Sequence, residues 1–278
     1  MYEFAAPFID RLTVFTMDVL QVFFKILYCY LNCGNGTAPC TNYCVCTCRC
    51  IDGYSRRIMW LKCSYSNHLP NLIAGYYLEC VRDVGGYPSK MRTDCGTENV
   101  TVAAIQSLVM GSESAHVYGT SPGNQRIEDW WSFFRRQHSQ YWIDLFETLV
   151  ECGAFHPGNS RETDCLRFSF MDVVQRELDF VRQQWNIHRI RPSAGSRCPA
   201  GVPDELFFLP QAGSIDKLVV GCRPLPIELL QQIEEPRACQ DTVFMAFLNH
   251  LCVYYNWDAP ADVDSALKLY FKLLPFCA

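Results

Sequence analysis

Two acidic residues in this 278-residue chain stand where a metal could be held. Asp94, in "RTDCGTEN" (92–99), follows a short strand-like run and precedes a glycine turn and a helix start, so its carboxylate sits at a strand end. Glu128, in "SPGNQRIEDWWSFFRR" (121–136), lies on a helix opened by Ser121-Pro122. Ile127, Trp130, Trp131 and Phe134 form its apolar face, whereas Glu128, Ser132 and Arg135 fall together on the other. Asp129 is turned about 100° away and cannot serve the same ion equally well. Each acid also has a plainer role, Asp94 as a turn residue and Glu128 as a first-turn acid favoured by the helix dipole.

A third acid, Asp52 in "CIDGYSRR", belongs to an Asp-Gly pair between alternating apolar runs, which is a hairpin turn signal. Of 17 cysteines, seven fall between Cys29 and Cys50, with no C-x-x-C pair and no histidine before His68. Zinc and a disulfide framework are both considered for this cluster, but the period of two in Cys44, Cys46, Cys48 and Cys50 favours free thiols packed on one face of a strand. His138, His156 and His188 are not assigned to a metal. The net charge of −5 excludes a uniformly basic body, so any nucleic-acid contact needs a local patch. Phe180 to Cys198 holds Arg182, Arg189, Arg191 and Arg197 with no acid, whereas from Asp204 to Asp264 acids outnumber bases ten to three.

The elements that must position these groups follow from periodicity. Cys44 to Ile51 and Arg57 to Cys63 read as an antiparallel hairpin, Asn71 to Val84 as a helix ended by Gly85-Gly86, and Pro88 to Thr93 as a short strand. Thr97 to Met110 reads as a helix capped by Thr97, and His116 to Tyr118 as a further strand. Helices are expected over Cys165 to Trp185, Thr242 to Tyr255 and Asp262 to Leu274, with a Pro-containing loop from Arg191 to Pro210. Leu12 to Cys33 is strongly apolar, yet Asp18, Gln21 and Lys25 share one helical face, so it reads as an amphipathic or buried helix rather than a membrane span. The pattern is α/β with a helical C-terminal extension.

Four segments, "CIDGYSRRIMWLK", "RTDCGTEN", "SPGNQRIEDWWSFFRR" and "WNIHRIRP", occur in an order that resembles the integrase core of retroviral integrases and three-carboxylate transposases. More closely they resemble transposon-derived integrase-core proteins of animal and fungal genomes. The likeness runs from about Cys50 to Pro210, and "NWDAPADVDSALKLYFKLL" resembles the tail of the same family. It implies an RNase H-like mixed sheet with flanking helices. It also implies two Mg²⁺ or Mn²⁺ ions serving DNA cleavage and joining, with Asp94 as second carboxylate and Glu128 as third. Arg135, Arg182, Arg189, Arg191 and Arg197 would contact DNA.

The family's first carboxylate lies on the first strand, in a stretch like W-x-x-D, and by that alignment Asp52 is only the turn after it. No acid occurs between Asp18 and Asp52, and Asp18 lies in the stretch read as helix. The expected organisation is therefore an apolar, Cys-rich segment over 1–43, an integrase-like core over 44–155 and a helical extension over 156–278. The preferred expectation is a catalytically incomplete, nuclear, DNA-binding protein, with no small-molecule substrate and no membrane partner, and with homo-oligomerisation allowed. An active Mg²⁺-dependent strand-transfer enzyme and a protein-interaction module bound through its acidic tail are the alternatives.

Overall fold

The computed structural model describes residues 14–20, 46–66, 68–119, 134–192, 198–209 and 241–277, with side chains left undescribed at 14–20, 46–48, 135 and 136. Five strands, β1 (Val14–Leu20), β2 (Cys46–Asp52), β3 (Ile58–Ser64), β4 (Lys90–Thr93) and β5 (His116–Tyr118), form one sheet in the order β3-β2-β1-β4-β5. Neighbours β1 and β2, and β2 and β3, are antiparallel, whereas β1 and β4, and β4 and β5, are parallel. The helices are α1 (Pro70–Val84), α2 (Val100–Met110), α3 (Gln140–Glu151), α4 (Ser160–Ile187), α5 (Pro203–Phe208), α6 (Thr242–Tyr254) and α7 (Val263–Leu273).

Most expected elements are present within a few residues of the sequence limits. One is different in kind: Val14–Leu20 is the central strand and not the start of a helix. The physical reason is tertiary. The run "VFTMDVL" carries Val14, Phe15, Thr16 and Val19, all good strand formers, and a central strand flanked on both faces needs no alternation of apolar and polar residues. The rest of the expected helix, up to Cys33, lies outside the described residues. Thr97 is also not a helix cap, because it opens a 3-10 turn (Thr97–Asn99), and Asn99 is the N-cap of α2.

Each face of the sheet has its own core. One holds Cys50, Trp60 and Met91 with Leu72, Tyr76, Tyr77 and Leu78 of α1 and Val102 and Ile105 of α2. On β2 the alternation that buries Cys50 here puts Cys48 and Cys46 in register positions on the same side, as the period of two requires. The other face holds Ile51, Ile58, Leu61 and Cys63 with Trp142 and Phe146 of α3, Phe170 and Val174 of α4, Leu248 of α6 and Tyr270 of α7. Gly85 ends α1 in the left-handed region at φ 77, where a side chain would be strained. Among the described residues no helix is long and apolar enough to cross a membrane.

Among the described residues no strand lies beyond β3, and α4 covers its outer edge with side-chain amides. Asn186 accepts from the Ile58 N–H at 2.8 Å and donates to the Ile58 carbonyl at 3.0 Å. Gln175 accepts from the Cys63 N–H at 3.0 Å and donates to the Leu61 carbonyl at 3.1 Å. The two amides are three helical turns apart, about 16 Å along α4, and the strand groups they meet are about 13 Å apart along β3. Trp185 Nε1 adds a bond to the Arg56 carbonyl at 2.8 Å, in the hairpin turn. Asn186 is 4% exposed, so Asn186→Leu strands both Ile58 groups away from water and should lower unfolding stability. The expected loss is about 2–4 kcal/mol, read as a lower urea midpoint at unchanged m-value.

Candidate carboxylate site and nucleic-acid interface

Asp94 follows β4 directly, half-buried, and its Oδ1 accepts from Asn99 Nδ2 at 2.6 Å and, at 3.4 Å, from the Gly96 N–H. Its backbone is held from the neighbouring strand. The Thr93 hydroxyl donates its one proton to the Asp94 carbonyl at 2.9 Å, so at its 3.0 Å contact with His116 Nε2 it must accept, which places a proton on Nε2. This chain runs from β5 through β4 to the residue at the strand end. Glu98 is 8% exposed and folds back over Gly96, where an added Cβ would lie 1.9 Å from Glu98 Oε1. A larger residue there would displace the Glu98 side chain, and sequence reading took this residue simply as a turn former. The Asp94 carboxylate is therefore both the turn anchor and a group with an oxygen, Oδ2, that accepts no bond among the described residues.

Asp18 arrives beside it. The parallel register between β1 and β4 pairs Val14 with Lys90, Phe15 with Met91 and Thr16 with Arg92, and two more residues bring Asp18 level with Asp94. Adjacent strands are about 4.8 Å apart, so the two positions are neighbours at the carboxyl ends of adjacent parallel strands. The expectation that no acid lies on the first strand is thus corrected. On its other side Asp18 is the cross-strand partner of Arg49, and the same register places Met17 opposite Cys50. Arg49 and Ile51 alternate with Cys50, so Arg49 belongs to the α3 and α4 face and is 0% exposed. Nothing in the sequence reading singled Arg49 out, although a lone cation between Cys48 and Cys50 was the available signal.

Asp52 behaves as its Asp-Gly pair suggests. Its Oδ2 accepts from the Ser55 N–H at 2.7 Å and the Ser55 hydroxyl at 2.6 Å, and its own N–H donates to the Arg57 carbonyl at 2.8 Å. It stands opposite Phe15, three residues along β1 from Asp18, or about 10 Å. Glu128 and Arg197 lie outside the described residues. Arg135 begins a π-helical turn (Arg135–Ser139) ahead of α3. Among the described residues no group of three His, Cys, Asp or Glu side chains could hold a metal ion.

The arginines of the "WNIHRIRP" region divide. Arg182 is in an ion pair with Asp179 at 3.6 Å on the same helix. Arg189 and Arg191 are exposed, just past the end of α4, on either side of Ile190, whose backbone bridges to Gly201 through N–H to carbonyl bonds of 2.9 and 3.0 Å. Neither makes an ion pair among the described residues. A mixed sheet with an aspartate directly after β4 and exposed arginines past α4 is compatible with the family that the sequence motifs resemble. In agreement, the model of the integrase core domain matches residues 36–208, more than half of the chain, and the chain belongs to that family. The match starts after β1, so Asp18 lies outside it. No curated protein and no solved structure matched the chain.

His116 is half-buried, and desolvation lowers its pKa from the ordinary 6.5. The imidazole is then neutral in the fold, and its contribution to stability is complete above the unfolded value and lost as pH falls through the folded one. Unfolding stability should therefore decline as the buffer is taken from pH 7 to pH 5, and His116→Gln should flatten part of that decline in chemical denaturation at each pH.

Proposed function

We propose that this chain is a transposon-derived, DNA-binding protein with an RNase H-like integrase core that holds the phosphate backbone and does not cut it. The observation that carries the reading is the exposed pair Arg189 and Arg191, which flank a backbone bridge at Ile190 and make no ion pair among the described residues. Two exposed guanidiniums suit phosphates, to which arginine can bond through two N–H groups at once. The strand order, with an antiparallel hairpin beside parallel strands, supports the RNase H-like assignment. A nuclear location belongs to the same proposal.

The carboxylates supply hard oxygen donors of the kind Mg²⁺ or Mn²⁺ takes, from Asp18, Asp94 and Glu128. Such ions would act as Lewis acids toward a phosphodiester. Arg49 fits them poorly. A guanidinium with no solvent exposure requires a counter-charge, and Asp18 is its cross-strand neighbour. A divalent ion at this place would meet the positive charge of that buried guanidinium, which disfavours its binding. The second reading, metal-dependent strand transfer, is favoured by the level placement of Asp18 and Asp94.

Binding of duplex DNA should weaken steeply with salt, and the Arg189→Ala, Arg191→Ala double variant should reduce the slope of log K against log salt by about two. Fluorescence anisotropy at several salt concentrations checks this, and salt-independent binding would leave the protein-interaction alternative. In a nicking and strand-transfer assay with Mg²⁺ and Mn²⁺, no product is expected. Activity that Asp94→Asn abolishes would establish the second reading.

A further inference from the structure

Two thiols distant in sequence meet in the core shared by α3, α4, α6 and α7. Cys165, in the second turn of α4, is 0% exposed, and Cys277, just past the 3-10 turn Leu274–Phe276 that follows α7, is 6% exposed. Their sulfurs are 3.1 Å apart across 112 residues of chain. A disulfide needs about 2.05 Å, so a movement of about 1 Å would join them. Cys63 and Cys80 show the opposite situation, since burial pushes the Cys80 thiol up to about 12 and Cys63 higher still. The hydrogen bond with Cys165 lowers the Cys277 thiol against the desolvation that opposes it.

We propose that Cys165 and Cys277 form a reversible oxidation site, in which a peroxide converts the thiol pair to a disulfide that ties the C-terminal turn to α4. The Cys277 thiolate attacks one peroxide oxygen and the O–O bond breaks. Hydroxide leaves and takes up the proton that Cys277 gave, forming water and a sulfenic acid. The Cys165 sulfur then attacks the sulfenic sulfur, the S–O bond breaks, and the hydroxyl departs with the Cys165 proton as a second water. Two electrons pass from the two sulfurs to the peroxide, and an excess of a dithiol returns them. The consequence is mechanical. Cys165 sits on the helix that carries Gln175 and Asn186, so the disulfide would fasten the last helix of the chain to the element that closes the sheet edge. This site is independent of DNA binding.

The test uses the full chain, reduced and then exposed to hydrogen peroxide, with remaining thiols alkylated in denaturant before non-reducing digestion and mass spectrometry. The expected product is a linked pair of peptides containing Cys165 and Cys277, two hydrogens lighter than the reduced pair and released by dithiothreitol. The disulfide should raise Tm by about 5 °C or more, because it closes a loop of 112 residues. Cys277→Ser should lose both the link and the peroxide-dependent rise. Recovery of Cys165 and Cys277 in alkylated form, under conditions that oxidise the exposed Cys95 and Cys152, overturns the site. A linked pair with unchanged Tm overturns the clamp.

Discussion

The closure of the β3 edge by α4 is the constraint from which much of the architecture follows. A sheet edge exposes backbone donors and acceptors that must be paired or kept wet, and an apolar strand cannot be left wet. β3 is such a strand, with Ile58, Leu61 and Cys63 turned into the core. The solution is a 28-residue helix lying along it, bonded to both ends of the strand by amides three turns apart. That length also lets α4 collect the later helices. Its Trp142 partner Glu177, at 2.6 Å, fixes α3, and Arg176 reaches the Pro260 carbonyl at 2.6 Å ahead of α7. The same helix ends at Ile187, so the direction imposed by the β3 contact also decides where Arg189 and Arg191 emerge.

A second constraint acts at the centre of the sheet. β2 and β4 have no hydrogen bonds to each other, and only a strand between them, antiparallel to one and parallel to the other, makes a single sheet. β1 fills that place and brings Asp18 with it. The two neighbours of that position carry opposite charges. On the β4 side Asp94 adds negative charge, which a divalent cation would relieve. On the β2 side Arg49 adds positive charge in a buried setting, where charge interactions are strong because water is excluded. Position 18 therefore lies in the sheet between an acid and a buried cation.

Much of this was legible in the sequence, for identifiable reasons. The Asp52-Gly53 hairpin, α1 with its glycine stop, and the helices α4, α6 and α7 are specified locally, by turn chemistry, caps and apolar periodicity. Asp262 and Ser265, for example, form a reciprocal capping box at the start of α7. β1 was not legible because a central strand of a sheet covered on both faces need show no alternation. In addition, Asp18, Gln21 and Lys25 happen to fall at helical spacing. The expected cap at Thr97 failed for a similar reason. Local chemistry favours threonine at that position, but the Asn99 side chain is committed to Asp94 across the turn, and the backbone follows that bond into a 3-10 turn.

The structural role of Asp94 leaves one of its carboxylate oxygens without a hydrogen bond among the described residues. A metal ligand works best when its position is fixed before the ion arrives, because the cost of ordering it has already been met by the fold. Here one oxygen is held by Asn99, the adjoining carbonyl by Thr93, and Thr93 in turn by His116. Glu98 packs on Gly96 and fills the space through which the turn could otherwise shift. The turn residue is therefore rigid for reasons that owe nothing to a metal, and its second oxygen is aimed by that rigidity. A protein that had stopped using the ion would still keep this arrangement, since removing any of its parts would cost stability first. Preservation of the Asp94 turn is thus expected with or without a metal, because its hydrogen bonds stabilise the fold by themselves.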